Sequence, residues 1–96
     1  MSNYKITPDY IDRLVRNSTI EIQTVFEKAT VVSIQLPSGF VLTEMSACVD
    51  PSNYNRELGV EICLERFKNK LWELSGYHLQ HATYLEKTQH VWEDNI

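Results

Sequence analysis

Apolar and polar positions alternate along the chain in three distinguishable patterns. The first covers residues 7–17, where apolar residues recur at the spacing of one helical face. Thr7 stands where an N-cap belongs, Pro8 suits the first helical turn, and Asp9 suits the positive end of a helix. These residues predict a short amphipathic helix at the start of the domain.

The second pattern is a run of β-favouring residues that is interrupted once. Residues 29–36 are rich in β-branched side chains, Pro37-Ser38-Gly39 breaks the run, and residues 40–49 resume it. This arrangement predicts a β-hairpin with a short loop. Residues 19–28 fit either a strand or a loosely packed connection, and the pattern does not choose between the two.

The third pattern predicts one long amphipathic helix after an Asp-Pro-Ser-Asn turn. Asp50 is the expected N-cap, with Pro51 at the first helical position, and Asn53 is the alternative cap. Gly76 either kinks the helix or marks its C-cap, and helical spacing continues to about Lys87. At about 100° per residue, one apolar arc should cover the hairpin: Val60, Cys63, Leu64, Phe67, Leu71, Leu74 and His78.

The opposite side of this predicted helix carries a second apolar stripe, formed by Tyr54, Leu58, Ile62, Trp72 and Leu79. A hairpin and a short helix cannot readily bury both sides of the long helix, and a helix that is apolar on two sides is buried on two sides. Leu58, Ile62, Trp72 and Leu79 are therefore expected to form a subunit interface in a homo-oligomer, at least a dimer. In the alternative, the first helix and the C-terminal residues cover the second stripe.

Length and composition describe a single domain of the α+β class. Of the 96 residues, 43% are hydrophobic and 23% are charged, a balance that is typical of globular proteins. We expect one domain over residues 1–96, with a folded core at 7–87 and a frayed tail at 88–96. The net charge of −4 disfavours binding to duplex nucleic acid. The sequence shows neither a signal-peptide pattern nor a membrane-length apolar run, so a cytosolic protein without membrane contact is expected.

No constellation of residues predicts catalysis. Cys48 and Cys63 lie in apolar runs, where cytosolic thiols are usually buried and inert rather than disulfide-bonded. His78 and His81 stand three residues apart, but a third and a fourth metal ligand are not close by in the sequence. The three glycines are isolated, so a glycine-rich phosphate loop is excluded. We expect a protein that is not an enzyme and that needs no cofactor or metal.

Binding is the function that the remaining residues favour. Aromatic, cationic and amide groups form one candidate set for ligand contacts: Asn53, Tyr54, Arg56, Lys70, Trp72 and Tyr77. The rings can stack on a base, while the cations and the helix-start amides can hold phosphate or ribose, so the set suits a nucleotide-like ligand. Tyrosine, tryptophan and arginine are equally enriched in protein interfaces. The sequence alone does not decide between a small ligand and a protein partner.

The same region resembles a known group of proteins. The run Ser46-Ala47-Cys48-Val49-Asp50-Pro51-Ser52-Asn53-Tyr54 is followed by Glu57, Gly59, Lys70-Leu71-Trp72-Glu73-Leu74 and Gly76-Tyr77. In this order the residues are similar to a family of small accessory proteins from tailed bacteriophages and prophages, over most of residues 7–80. The chain departs from that family at Cys63 and Phe67, where alanine is common, and at Ser75, where a larger or acidic residue is usual.

The resemblance implies a phage-encoded protein that works in the host bacterial cytoplasm, with no enzymatic activity to carry over. Small oligomeric phage proteins are known to sequester nucleotide signals of bacterial antiviral systems, which is an analogy of class. Our hypothesis is an oligomer that binds such a nucleotide-derived signal at a subunit interface. The alternative hypothesis is a phage protein that binds and inhibits a host protein through the second stripe.

Overall fold

The chain folds into two helices and a three-stranded sheet: α1 (Pro8–Arg16), β1 (Thr19–Val25), β2 (Ala29–Gln35), β3 (Val41–Ala47) and α2 (Arg56–Lys87), with a 3₁₀ turn at Pro51–Asn53 before α2. This architecture is that of a computed structural model in which residues 5–87 are described. It confirms the α+β class, the short first helix and the long last helix. The tail expected to fray at 88–96 lies outside the described residues.

The first helix begins where its sequence predicted. Thr7 is extended and its Oγ1 accepts a hydrogen bond from the Tyr10 amide at 3.2 Å, which caps α1. Ile11 is the fully buried residue of this helix, and Val15 packs against the core formed by the sheet and α2. Helix α1 therefore lies on the same face of the sheet as α2.

The sheet is antiparallel, with β2 between β1 and β3. The predicted hairpin is β2 and β3, with Ile34 opposite Leu42 and Val32 opposite Glu44. Residues 19–25, whose structure the sequence left open, form the third strand, with Ile22 opposite Val32. The predicted fold of one hairpin between two helices therefore lacked one strand.

The turn between β1 and β2 uses an unfavourable backbone conformation. Phe26 and Glu27 have φ angles of 55° and 56°, and the Lys28 amide donates to the Val25 carbonyl at 3.2 Å. Left-handed conformations at both central residues normally select asparagine and glycine. This turn therefore carries local strain, and it lacks the residue types by which a hairpin is recognised in a sequence.

Helix α2 covers the sheet only along its first half. Cys63 and Phe67 pack with Val32 and Ile34 in the buried core, and Leu71 is also buried. The predicted covering arc is confirmed from Val60 to Leu71 but is wrong at Leu74 and His78, which are exposed. The reason is length, since strands of seven residues span about 23 Å whereas 32 helical residues span about 48 Å.

The N-cap predicted for the long helix is also corrected. Asp50 caps the short 3₁₀ turn, and Asn55 caps α2, because the Asn55 Oδ1 accepts a hydrogen bond from the Leu58 amide at 3.0 Å. Asn53 is the last residue of the 3₁₀ turn and caps neither element. Gly76 lies inside an uninterrupted α-helix that extends to Lys87, so it does not end the helix.

Candidate functional site

Tyr54 joins the turn before α2 to the sheet. Its hydroxyl lies 2.9 Å from the Thr24 Oγ1 and 2.8 Å from the Thr30 Oγ1. Tyr54 precedes α2, so it does not belong to the second stripe of that helix as the sequence suggested. A small cavity of about 150 Å³ is lined by its ring together with Asn53, Cys48 and Ile62. The predicted ligand residue Tyr54 therefore has a structural contact that fixes its position.

The amides around this turn are partly occupied by the chain's own side chains. The Asp50 Oδ1 accepts a hydrogen bond from the Ser52 amide at 3.0 Å. Hydrogen bonding from the backbone and the side chain of Ser52 lowers the pKa of the Asp50 carboxyl. The Leu58 amide is occupied by Asn55. Arg56, the first residue of α2, is exposed and forms no ion pair with any residue in the range 5–87. Arg56 is therefore a cationic side chain at this end of α2 that a ligand anion can reach.

The other three predicted ligand residues lie farther along α2. The Lys70 ammonium pairs with the Glu44 carboxylate of β3 at 2.6 Å. Trp72 is 39% exposed, and Tyr77 is 67% exposed with its ring stacked on His81 at 5.6 Å. The six predicted residues therefore lie at two places along one chain, around the start of α2 and near its middle, and the structure does not bring them together.

The predicted interface residues differ in their exposure. Leu58 is 53% exposed, whereas Ile62 and Leu79 are half-buried. Leu79 lies in a cleft that is lined also by Lys5 and Ile6, from the segment before α1. Leu58 and Trp72 are the members of the second stripe that remain available for a partner.

A larger groove lies between α1, the β2–β3 turn and α2, and its volume is about 560 Å³. Its walls are mostly apolar, with polar groups at a few points: Tyr10, Leu14, Leu36, Pro37, Ser38, Phe40, Leu71, Leu74, Ser75 and His78. This volume is in the range of small-molecule sites. The sequence did not predict this groove, because only the docking of α1 places these residues together.

The two cysteine thiols lie in different surroundings. Burial raises the pKa of the Cys63 thiol, which favours its neutral, unreactive form. The half-buried Cys48 thiol lies 3.3 Å from the Asp50 carbonyl and 3.4 Å from the Lys28 carbonyl. Over residues 5–87 no group of three or more potential metal ligands is present.

Over the same range, neither helix has the combination of length and apolar character that a membrane span requires.

These features define a class: a small α+β domain with two helices on one face of an antiparallel sheet and exposed apolar residues along the longer helix. The family model described as "Phage protein (N4 Gp49/phage Sf6 gene 66) family" matches residues 6–83, so the chain belongs to this family of phage proteins. This match confirms the resemblance found in the sequence. No curated protein matches the chain, and no solved structure matches it either.

Proposed function

We propose that the protein is a phage accessory protein that acts in the host cytoplasm as a homo-oligomer and sequesters a nucleotide-derived signal of a bacterial antiviral system. Its ligand site would be shared between subunits. Family membership supports the phage origin. The nucleotide class comes from the aromatic and cationic residues of the candidate set and from the analogy with other small phage proteins.

A shared site is supported by the distance between the candidate residues on one chain. Arg56 and Trp72 both belong to α2, and their places in its sequence put them roughly 24 Å apart along the axis and about 160° apart around it. Because a helix is about 10 Å across, one nucleotide-sized ligand cannot contact both side chains in one protomer. A second copy can supply the missing half of the site.

Isothermal titration calorimetry tests the proposal with a panel of cyclic dinucleotides and ADP-ribose derivatives. We expect one ligand class to bind, and we expect Arg56→Ala and Trp72→Ala each to abolish that binding. Phe26→Ala is the control for loss of an exposed aromatic ring, because Phe26 is exposed at the β1–β2 turn and is not one of the six candidate ligand residues. The absence of heat across the whole panel would contradict the proposal.

A mixture of the two variants tests whether the site is shared. In a two-fold dimer, Arg56 of the Trp72→Ala chain can meet Trp72 of the Arg56→Ala chain. Equal mixing and re-equilibration should therefore restore about a quarter of the wild-type sites. If each variant lacks binding and the mixture also lacks it, the two residues do not act across one interface.

Inhibition of a host protein is the second candidate function. It is favoured by the exposure of Leu58 and Trp72 on one side of α2, since tryptophan is enriched among residues that dominate binding energy in interfaces. A pull-down from host lysate separates the candidates. A stoichiometric protein that is lost with Trp72→Ala supports inhibition, whereas a co-purified small molecule with nucleotide absorbance supports sequestration.

A further inference from the structure

The two edges of the sheet differ in how they are covered. At the β3 edge, the Arg66 guanidinium donates to the Met45 carbonyl at 2.6 Å, and Lys70 pairs with Glu44. Helix α2 packs on β2 and β3 rather than on β1. Charged side chains and helices that cover an edge strand prevent it from pairing with another chain. The β3 edge is therefore partly blocked by side chains of α2.

Among residues 5–87, no helix or charged side chain blocks the β1 edge in this way. Its residues from Thr19 to Thr24 are exposed, its register with β2 is regular, and its sequence contains one charged residue, Glu21, and neither lysine nor proline. Ile20 and Ile22 are on the face that carries the helices, yet they are 37% and 36% exposed. A regular, weakly charged edge with an open apolar face is a template for another strand.

The hydrogen-bond pattern shows which groups of β1 are free. The Leu36 amide donates to the Phe40 carbonyl and the Cys48 amide to the Lys28 carbonyl, each at 2.9 Å, so even-numbered positions along β2 bond toward β3. Directions alternate along a strand, so odd-numbered positions of β2 bond toward β1. Their partners in the register are also odd-numbered. The N–H and C=O groups of Ile20, Ile22 and Thr24 therefore point away from the sheet.

We propose that β1 pairs antiparallel with β1 of a second copy, with Ile22 opposite its own symmetry mate, so that two sheets join into one of six strands. In this register the two Ile22 side chains face each other. Ile20 faces Thr24 and Glu21 faces Gln23, so like charges do not meet. All backbone groups of Ile20, Ile22 and Thr24 acquire partners. A β1–β1 register centred on Glu21 would instead place two carboxylates opposite each other, which is destabilising.

The expected dimer is weak, because a single strand pair buries less area than a standard stable interface. It forms at micromolar to millimolar protein concentrations. The β1 edge is separate from the exposed members of the second stripe, Leu58 and Trp72. Pairing through β1 therefore does not depend on the proposed ligand site.

Residue-resolved amide hydrogen exchange by NMR tests this interface with a built-in control. From the lowest to the highest protein concentration, the amides of Ile20, Ile22 and Thr24 should slow at least several-fold. The amides of Glu21 and Gln23 bond to β2 in the monomer, so their exchange should change much less. Unchanged, fast exchange at the three outward amides over the whole range overturns the proposal, as does a dimer in which those amides remain unprotected.

Ile22→Pro provides the matching variant. Proline is tolerated on an edge strand where the N–H faces solvent, and it removes the donor at the centre of the proposed pair. At equal protein concentration, sedimentation velocity should show weaker self-association for Ile22→Pro than for the wild type and Ile22→Val, because the β1 contact is lost whether or not subunits also meet at Leu58 and Trp72. A folded Ile22→Pro variant that associates as strongly as the wild type would overturn the proposal. If that variant fails to fold, the wild-type exchange data still decide.

Discussion

The two halves of α2 have the same backbone conformation but different surroundings. In the packed half, Arg56–Leu71, side chains at helical spacing enter the core against β2. In the distal half, Trp72–Lys87, the helix continues beyond the sheet. All the buried residues of α2 lie in the packed half: Gly59, Cys63, Phe67 and Leu71. Periodicity along a helix therefore predicts a face, whereas the element beneath that face decides how far the face is buried.

Truncating a core side chain should distinguish the two halves of α2 most strongly. Phe67→Ala removes a ring that is completely buried against Val32 and Ile34, so we expect a loss of about 3–5 kcal/mol in the free energy of unfolding. Tyr77→Ala, at an exposed position of the distal half, should stay within about 0.5 kcal/mol of the wild type. Urea unfolding followed by circular dichroism measures both. Equal losses would mean that the distal half is packed as well.

The second effect tests how closely α2 approaches the sheet. A Cβ at Gly59 would lie 2.5 Å from the Thr30 Oγ1 and 2.8 Å from the Thr30 Cβ. Gly59→Ala should therefore destabilise the protein by about 1–3 kcal/mol through overpacking, although alanine favours the helix by about 1 kcal/mol. Thermal unfolding measures the change. A more stable variant would show that α2 can move away from β2 at little cost.

The third effect concerns the connection that leads into the packed half. Tyr54→Phe removes the hydroxyl that bonds to Thr24 and Thr30, and it leaves the buried Thr30 hydroxyl without this partner. We expect a loss of about 1 kcal/mol in the free energy of unfolding. Tyr77→Phe is the control, because that tyrosine is largely exposed. If both variants match the wild type, Tyr54 does not anchor the turn.

Much of the fold was predictable because local patterns determine it. Thr7 and Pro8 predicted the start of α1, and Pro37-Ser38-Gly39 predicted the hairpin turn, where Gly39 has a φ of 99°. Strand β1 was left open because its turn uses Phe26 and Glu27 in place of asparagine and glycine. The cap of α2 was misassigned because Asp50, Asn53 and Asn55 lie within six residues of one another, and each is a good capping residue.

The candidate site was less predictable because it depends on distances between elements. Helical spacing placed Leu74 and His78 on the covering face, but it carries no information about where the sheet ends. The pairing of Lys70 with Glu44 joins α2 to β3, and the groove beside Phe40 needs α1 to dock. Such contacts arise from tertiary packing, which one chain's periodicity does not encode.

The smallest expected effect uses the second glycine of α2 and has the opposite sign. Within residues 5–87, no heavy atom outside the adjoining residues and backbone of α2 lies within 4 Å of a Cβ built at Gly76, in contrast to Gly59. Gly76→Ala should therefore stabilise the protein by up to about 1 kcal/mol, because alanine restricts the unfolded chain and favours the helix. The same substitution at two positions of one helix should then change stability in opposite directions, and thermal unfolding measures both changes. A loss of stability at Gly76 would mean that another surface, such as a second subunit, approaches the distal half closely at that residue.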